Sequence, residues 1–287
     1  MRIELLTSAK EFLVRTQSLR AGDPFRTNIL GSVATAVADG SLTYDACLWW
    51  VLIDNQSEVI GAAMRTAPHG MVLSPMPVNA ISELARAVSL QDDELPSVSG
   101  PTAVVEKFID EYRKTQSRGS TRRAEKEEQH LLYALSQLSI PSVNGVMTTA
   151  SLNDYKLLLN WYLEFGQDTG VFMPNPEGSI KAGLGRNSYR FWMVEGEKVC
   201  LAGHSPLVDT SAGTIARIGP VYTPPEHRRN GYAGALTANL SQELVSQGAK
   251  VMLYTDALNP TSNSIYRRIG YQMIDNNALY KFLVAHA

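Results

Sequence analysis

The sequence is poor in cysteine, in long apolar runs and in excess charge of either sign. Only Cys47 and Cys200 occur in 287 residues. Two thiols make neither a disulfide framework nor a thiolate metal cluster, so a reducing compartment is expected. The longest apolar run, "ACLWWVLI" at 46–53, is far shorter than the ~20 residues a membrane span needs. The opening "MRIELLTSAKEF" puts Glu4 where a signal peptide would hold its apolar stretch, and no cleavage site follows. A formal net charge of −2 lacks the basic excess of a general nucleic-acid binder. His69, His130 and His286 show no metal-ligand spacing. These absences predict a cytoplasmic protein with no membrane, nucleic-acid or metal partner.

What remains is a globular composition, 44% hydrophobic, in a chain long enough for two domains of ordinary size. In the C-terminal half, Leu152, Tyr155, Leu159, Tyr162 and Phe165 form a helical stripe, with Ser151 and Asp154 spaced as a capping box and Gly166 as the expected stop. The Gly/Pro/Asn-rich segment 167–188 reads as loop with room for a short helix. "YRFWMV", "EGEK" and "VCLAGHSPL" make a hairpin, and "TIARIGPVYT" is a strand interrupted at Gly219–Pro220. A helix over "GALTANLSQELVSQG", the strand "KVMLYTD", a short helix over "NPTSNSIYRRIGY" and the strand "NALYKFLV" follow.

The N-terminal half has the same rhythm. "LWWVLID", "NQSE" and "VIGAAMRT" form a hairpin, followed by strand, helix, short strand, helix and a closing strand over "QHLLYALSQL". The expected fold class is therefore α/β (α+β), with domains at 1–142 and 143–287 related by a weak internal duplication. Two unrelated α/β units, or one domain with a long N-terminal extension, fit the pattern as well. The mixed-charge run 113–129, "RKTQSRGSTRRAEKEEQ", reads as a solvated loop or linker.

The stretch "HRRNGYAGAL" joins a strand to a helix and concentrates cations and glycines at a helix start. A helix N-terminus offers unpartnered N–H groups and partial positive charge, which suits an anion. Gly231 and Gly234 leave its backbone bare, and Arg228 and Arg229 add forked donors. No Gly-Lys-Ser/Thr follows, and "GLGRNS" at 183–188 lacks the third glycine of a dinucleotide fingerprint.

Two linked motifs narrow the reading. Arg228-x-x-Gly231-x-Ala233, between strand and helix, precedes a set made by Asn259, Ser262, Ile265, Tyr266, Gly270 and Tyr271. Together they resemble the GNAT superfamily of acyl-CoA-dependent N-acyltransferases. The likeness reaches back to the helix near 151, about half the chain, and the whole pattern is similar to the superfamily's bacterial two-part predicted acetyltransferases.

That resemblance implies a mixed central sheet with a splayed strand pair, and acetyl-CoA as co-substrate. The coenzyme's diphosphate would rest on the backbone of Arg229, Asn230, Gly231, Tyr232, Ala233, Gly234 and Ala235, with Arg228 at the first motif position. Its pantetheine arm would lie between "VYT", Val221, Tyr222 and Thr223, and "MLYT" at 252–255. Gly219–Pro220 suits the bulge that opens this fork. Asn259 caps the last helix, with Pro260 at its first position, and can also touch the coenzyme. Tyr266 takes the place where a phenol donates to the departing thiolate; packing in the core is its plainer reading.

The implied reaction is acetyl transfer to the amine of a small molecule or peptide by a monomer or homodimer. A non-catalytic acyl-CoA-binding regulator and a transferase with a larger acyl donor remain open. His204, Glu226 and His227 lie near relevant segments, and none of them is assigned as the base. The N-terminal half has "VLSPMPVNAISEL" in place of the arginine-glycine turn, and its tyrosine position falls near Lys107 or Phe108. A degenerate copy without a coenzyme site is expected there. Trp49 and Trp50, adjacent on a strand, are expected to pack in the hairpin core rather than line a pocket.

Overall fold

A computed structural model describes residues 1–91, 95–116, 122–171 and 175–284. His286, the middle of the charged run (117–121) and residues 172–174 lie outside the described residues. The chain opens with β1 (Arg2–Leu6), α1 (Ala9–Arg15), α2 (Gln17–Gly22) and α3 (Asn28–Ala38). The expected hairpin follows as β2 (Ala46–Ile53) and β3 (Val59–Ala67), then β4 (Met71–Leu73), α4 (Val78–Gln91), β5 (Ser97–Pro101), α5 (Thr102–Thr115) and β6 (Arg122–Leu135). The second half runs β7 (Val146–Thr149), α6 (Tyr155–Thr169), α7 (Pro176–Gly185), β8 (Tyr189–Val194), β9 (Glu197–His204), β10 (Val208–Thr210) and β11 (Gly213–Tyr222). It ends with α8 (Tyr232–Ser246), β12 (Lys250–Asp256), α9 (Pro260–Arg268) and β13 (Tyr271–Val284).

Two compact units result. The first holds Met1–Leu131, Thr210–Ala212 and the chain from Asp275 onward; the second holds Leu132–Asp209 and Gly213–Ile274. In the first unit the strand order is β1-β2-β3-β4-β5-β13. Asn277 to Lys281 of β13 pair antiparallel with Pro101 to Ser97 of β5, so the chain's last strand closes the sheet of the first unit. In the second unit the order is β7-β8-β9-β11-β12, with β6 next to β12.

Alternation along β2 sends adjacent side chains to opposite faces. Trp49, Val51 and Ile53 pack with Phe12, Leu30 and Ala34 on one face, while Trp50 and Leu52 pack with α4 and α5 on the other. Both tryptophans are fully buried, as expected of hairpin core. Burial of one large apolar side chain contributes roughly 1.5–3 kcal/mol, so this double-faced hairpin anchors the first unit.

Two local expectations need correction, and a third, a short helix within 167–188, is met. The charged run is not simply a linker: α5 continues to Thr115 and β6 already begins at Arg122. Charges on this strand find partners, since Glu127 pairs with Lys281 of β13 and Lys126 lies over the Tyr280 ring, and such cross-strand contacts support a sheet. The helix over the stripe passes through Gly166 and stops at Gly170, which alone takes the left-handed conformation (φ 73°) that ends helices. Segment 167–188 carries a ten-residue helix, α7, capped by Asn175, whose Oδ1 accepts from Gly178 N–H at 2.9 Å, with Pro176 at its first position. The opening strand and three helices, β1 to α3, were not legible as elements.

The capping box is present: Ser151 N–H donates to Asp154 at 2.8 Å at the head of a short 3₁₀ turn before α6. Among the described residues, no helix is long and apolar enough to cross a membrane. No group of three or more His, Cys, Asp or Glu side chains stands together there as a metal set.

Candidate active site

The site is built in the second unit where β11 leaves β12. Ile215 to Ile218 pair in parallel with Lys250 to Leu253, and the pairing stops there. On its other edge β11 pairs with β9, and the register shifts between Ile218 and Val221. Gly219–Pro220 sits in that shift with a cis peptide bond. Beyond Ile218, β11 and β12 therefore diverge, which leaves the β12-facing edge of Val221 to Thr223 without a strand partner. Met252 and Leu253, which the expected stretch 252–255 included, are paired with Arg217 and Ile218 of β11.

After β11 the chain makes a 3₁₀ turn at Pro225–His227 and enters α8 through Arg229 (φ 68°), Asn230 and Gly231 (φ 82°). Left-handed backbone at Gly231 costs little without a side chain. No side chain caps α8, and its first internal bond runs from Ala235 N–H to Gly231 carbonyl at 3.1 Å. The preceding N–H groups are the unpartnered donors that a helix start offers an anion. Arg229, Asn230 and Gly231 are exposed. Asn230 Nδ2 steadies the turn by donating to the His227 and Arg228 carbonyls at 3.1 and 3.3 Å.

Gly234 plays a different part from Gly231. It is buried, and a Cβ there would lie 3.3 Å from Ile265 of α9. Its small size lets α8 approach α9, rather than baring backbone as expected. Arg228 is also differently employed. Its Nε donates to the Thr223 carbonyl at 2.9 Å, its Nη2 pairs with Asp168, and its guanidinium lies 5.9 Å from the Tyr222 ring centroid. Arg229 makes no ion pair among the described residues and keeps its charge at the mouth of the turn.

Asn259 caps α9, its Oδ1 accepting from Ser262 N–H at 3.0 Å, with Pro260 at the first position. That brings Tyr266 to the sheet, where its ring meets Tyr271 edge-on at 6.1 Å. Burial, reinforced by the nearby Cys200 thiol, raises the pKa of the Tyr266 phenol above its ordinary value. The buried phenol is therefore neutral at neutral pH. Cys200 is itself buried, accepts from Thr223 Oγ1 at 3.2 Å, and is pushed up to about 12 by burial. Thr223, Cys200 and Tyr266 therefore line one side of the fork.

The opposite side is covered by α6 and α7. Trp161, Phe191, Leu201 and Tyr222 form its packed floor. Glu164 of α6 bonds the Tyr222 hydroxyl, which with burial raises that phenol to about 12. Sequence reasoning did not find Glu164, because only the fold brings α6 over β11. His204 ends β9 opposite Ile218, and its Nδ1 bonds the Ser205 carbonyl at 2.8 Å. A carbonyl accepts only, so Nδ1 carries the proton; burial holds the ring below its ordinary pKa. His227 lies 3.5 Å from Glu197, and Glu226 is exposed.

Comparison with known proteins agrees with this geometry. Residues 210–280, which span the fork, the turn and α9, match the family described as FR47-like protein. No curated protein sequence matches the chain. A GNAT-family acetyltransferase from Colwellia psychrerythraea is similar in structure at 12% identity and a TM-score of 0.59, covering 99% of this chain and 100% of that one. A GCN5-related N-acetyltransferase from Sphaerobacter thermophilus gives 13% identity and 0.60, covering 99% and 97%. A Drosophila protein gives 12% and 0.61, covering 98% of each chain. The fold is the GNAT acetyltransferase fold, over nearly the whole chain.

Proposed function

We propose that this chain transfers an acetyl group from acetyl-coenzyme A to a primary amine. The observation that carries the reading is the pairing of an open fork, β11 against β12 beyond Ile218, with an uncapped helix start at Gly231. A fork offers strand-like pairing to an amide-bearing arm, and the helix start offers N–H groups to a diphosphate. The chain's residues fit that carrier: Gly231 puts no side chain in the cradle, and Arg229 supplies charge there.

Acetyl-coenzyme A brings an acyl thioester already activated toward amines. Backbone N–H groups at Val221 to Thr223 that face the fork stabilise negative charge developing on a carbonyl oxygen there. Tyr266 donates its phenolic hydrogen toward the sulfur position and remains protonated at neutral pH. Arg228 keeps the phosphate turn tied to the end of β11 through the Thr223 carbonyl. The acceptor enters on the α6–α7 side. Two free thiols, Cys47 and Cys200, suit a reducing cytoplasm.

The first unit is, in this reading, a degenerate tandem copy. Its strand order repeats the second unit's, while Val78, where α4 begins, follows "SPMP", without the glycines and arginines of a phosphate turn. Calorimetry with coenzyme A and thiol release across a panel of amines test the proposal. Coenzyme binding without turnover on any amine supports the regulator instead, and absence of coenzyme binding removes both.

A further inference from the structure

The α6–α7 face below the fork is unusually rich in cationic and phenolic groups for the interior of a small unit. Arg217 of β11 lies near Tyr162 of α6 and Tyr254 of β12. Tyr162 bonds Ser179 of α7. The Tyr189 hydroxyl lies 3.4 Å from the Ser179 carbonyl, and the same phenol feels both Tyr162 and Arg186. Arg186 follows α7 as its C-cap.

Arg186 is the informative residue. Its Nε and Nη1 atoms are buried and have no hydrogen-bond partner among the described residues. A buried donor left unmade costs about 1–3 kcal/mol, more when charged, so a fold keeps one where something else completes it. The place is also telling. Tyr189 pairs with Gly203, and His204 pairs with Ile218, so the segment leading into β8 ends level with the base of the fork. Arg217 precedes Val221 by four residues, roughly 13 Å of strand.

We propose that Arg186 and Arg217 bind an oxyanion, a carboxylate or a phosphate ester, carried by the acceptor amine. Guanidinium groups match both anions with paired parallel donors. Paired guanidinium groups favour an anion there over an apolar tail. This deepens the acetyltransferase reading and rests on it. It narrows the acceptor to amines bearing an acid group.

The test compares matched primary amines by thiol release at saturating acetyl-coenzyme A: β-alanine against 3-aminopropanol, and phosphoethanolamine against ethanolamine. The acidic member should exceed its neutral partner at least tenfold in kcat/KM, and the better pair identifies carboxylate or phosphate. Arg186→Gln should raise KM for the acidic member about tenfold more than for the neutral member, with Arg186→Lys restoring part of the loss. Neutral amines that match or surpass their acidic partners would overturn the inference, as would equal losses on both. A second readout needs no turnover: inorganic phosphate should raise Tm in the native chain and fail to do so in Arg186→Gln. If coenzyme A binds and phosphate gives no shift, the anion site falls alone. If phosphate protects but coenzyme A does not bind, the transferase reading falls and the arginine pair stands.

Discussion

Arg228 Nε donates to the Thr223 carbonyl at 2.9 Å, and the same guanidinium pairs with Asp168. One side chain thus joins the end of β11, the turn before α8 and the last turn of α6. Arg228→Ala should weaken coenzyme A binding by loosening the turn rather than by removing a phosphate contact. The side chain is 46% exposed, so screening limits the effect to about 1 kcal/mol, roughly fivefold in Kd. Calorimetry decides: a loss larger than a hundredfold would mean that Arg228 grips the phosphates itself.

Gly231 and Gly248 have nearly the same backbone, φ 82° and 85°. Replacing either with alanine places a side chain in the left-handed region, at a cost of roughly 1–2 kcal/mol. Gly248 has open space around it, whereas a Cβ at Gly231 meets Val143 at 3.3 Å. Both variants should therefore lose several degrees in Tm, with Gly231→Ala losing more. Only Gly231→Ala should also lose coenzyme A affinity, at least tenfold. Equal coenzyme binding by the two would remove the cradle from the helix start.

Tyr266→Phe should lower turnover roughly tenfold to a hundredfold with the KM for acetyl-coenzyme A little changed, because the hydroxyl acts only as the thiolate departs. The raised pKa sets a second outcome. The phenol's folded pKa lies above the ordinary value of about 10, so the neutral donor persists as pH rises toward that value. Wild-type kcat should show no fall attributable to phenol ionisation below about pH 10. A limb titrating near 9 that disappears in Tyr266→Phe would contradict the buried, neutral phenol.

The parts of this site visible in the sequence are those carried by local chemistry. Asn259–Pro260 marks a helix start, Gly231 a left-handed entry, and Gly219–Pro220 a break in strand register, because each residue constrains its own backbone. The roles decided by distant partners were not visible. The contacts of Arg228 with Asp168 and the Thr223 carbonyl form only through the fold. Gly234 looked like bare backbone because Ile265 is thirty-one residues away in sequence. The first half of β6, from Arg122 to Glu128, reads as linker because its charges are of mixed sign, and only the fold sets Lys281 beside Glu127. Gly166 and Gly170 are equally good stops by composition, and only φ separates them.

Cys200 predicts an alkaline limit to stability. Its folded pKa is raised by burial to about 12, against an ordinary thiol value of 9.0. A raised folded value means that the neutral thiol's contribution is complete below pH 9 and is lost as pH rises toward 12. Urea midpoints should fall more steeply over that window in wild type than in Cys200→Ala, which has no thiol to ionise. Thiolate is the reactive form, so iodoacetamide at pH 8 should leave Cys200 unmodified in the native chain and label it after unfolding. Rapid native labelling, read by mass spectrometry, would show that the fork's floor opens.

Phe282 tests whether the last strand belongs energetically to the first unit. It lies 8% exposed in the cluster formed by α4, α5 and β5, with its ring 5.4 Å from Tyr112. Removing a buried phenyl ring costs about 3–5 kcal/mol through lost contacts and the cavity left behind. Phe282→Ala should therefore destabilise residues of the N-terminal half although the substitution lies near the C-terminus. Hydrogen exchange followed by mass spectrometry should show faster exchange in β5 and α5, with α8 and α9 close to wild type. Faster exchange confined to α8 and α9 would place β13 with the second unit and overturn the strand order on which the two-unit description rests.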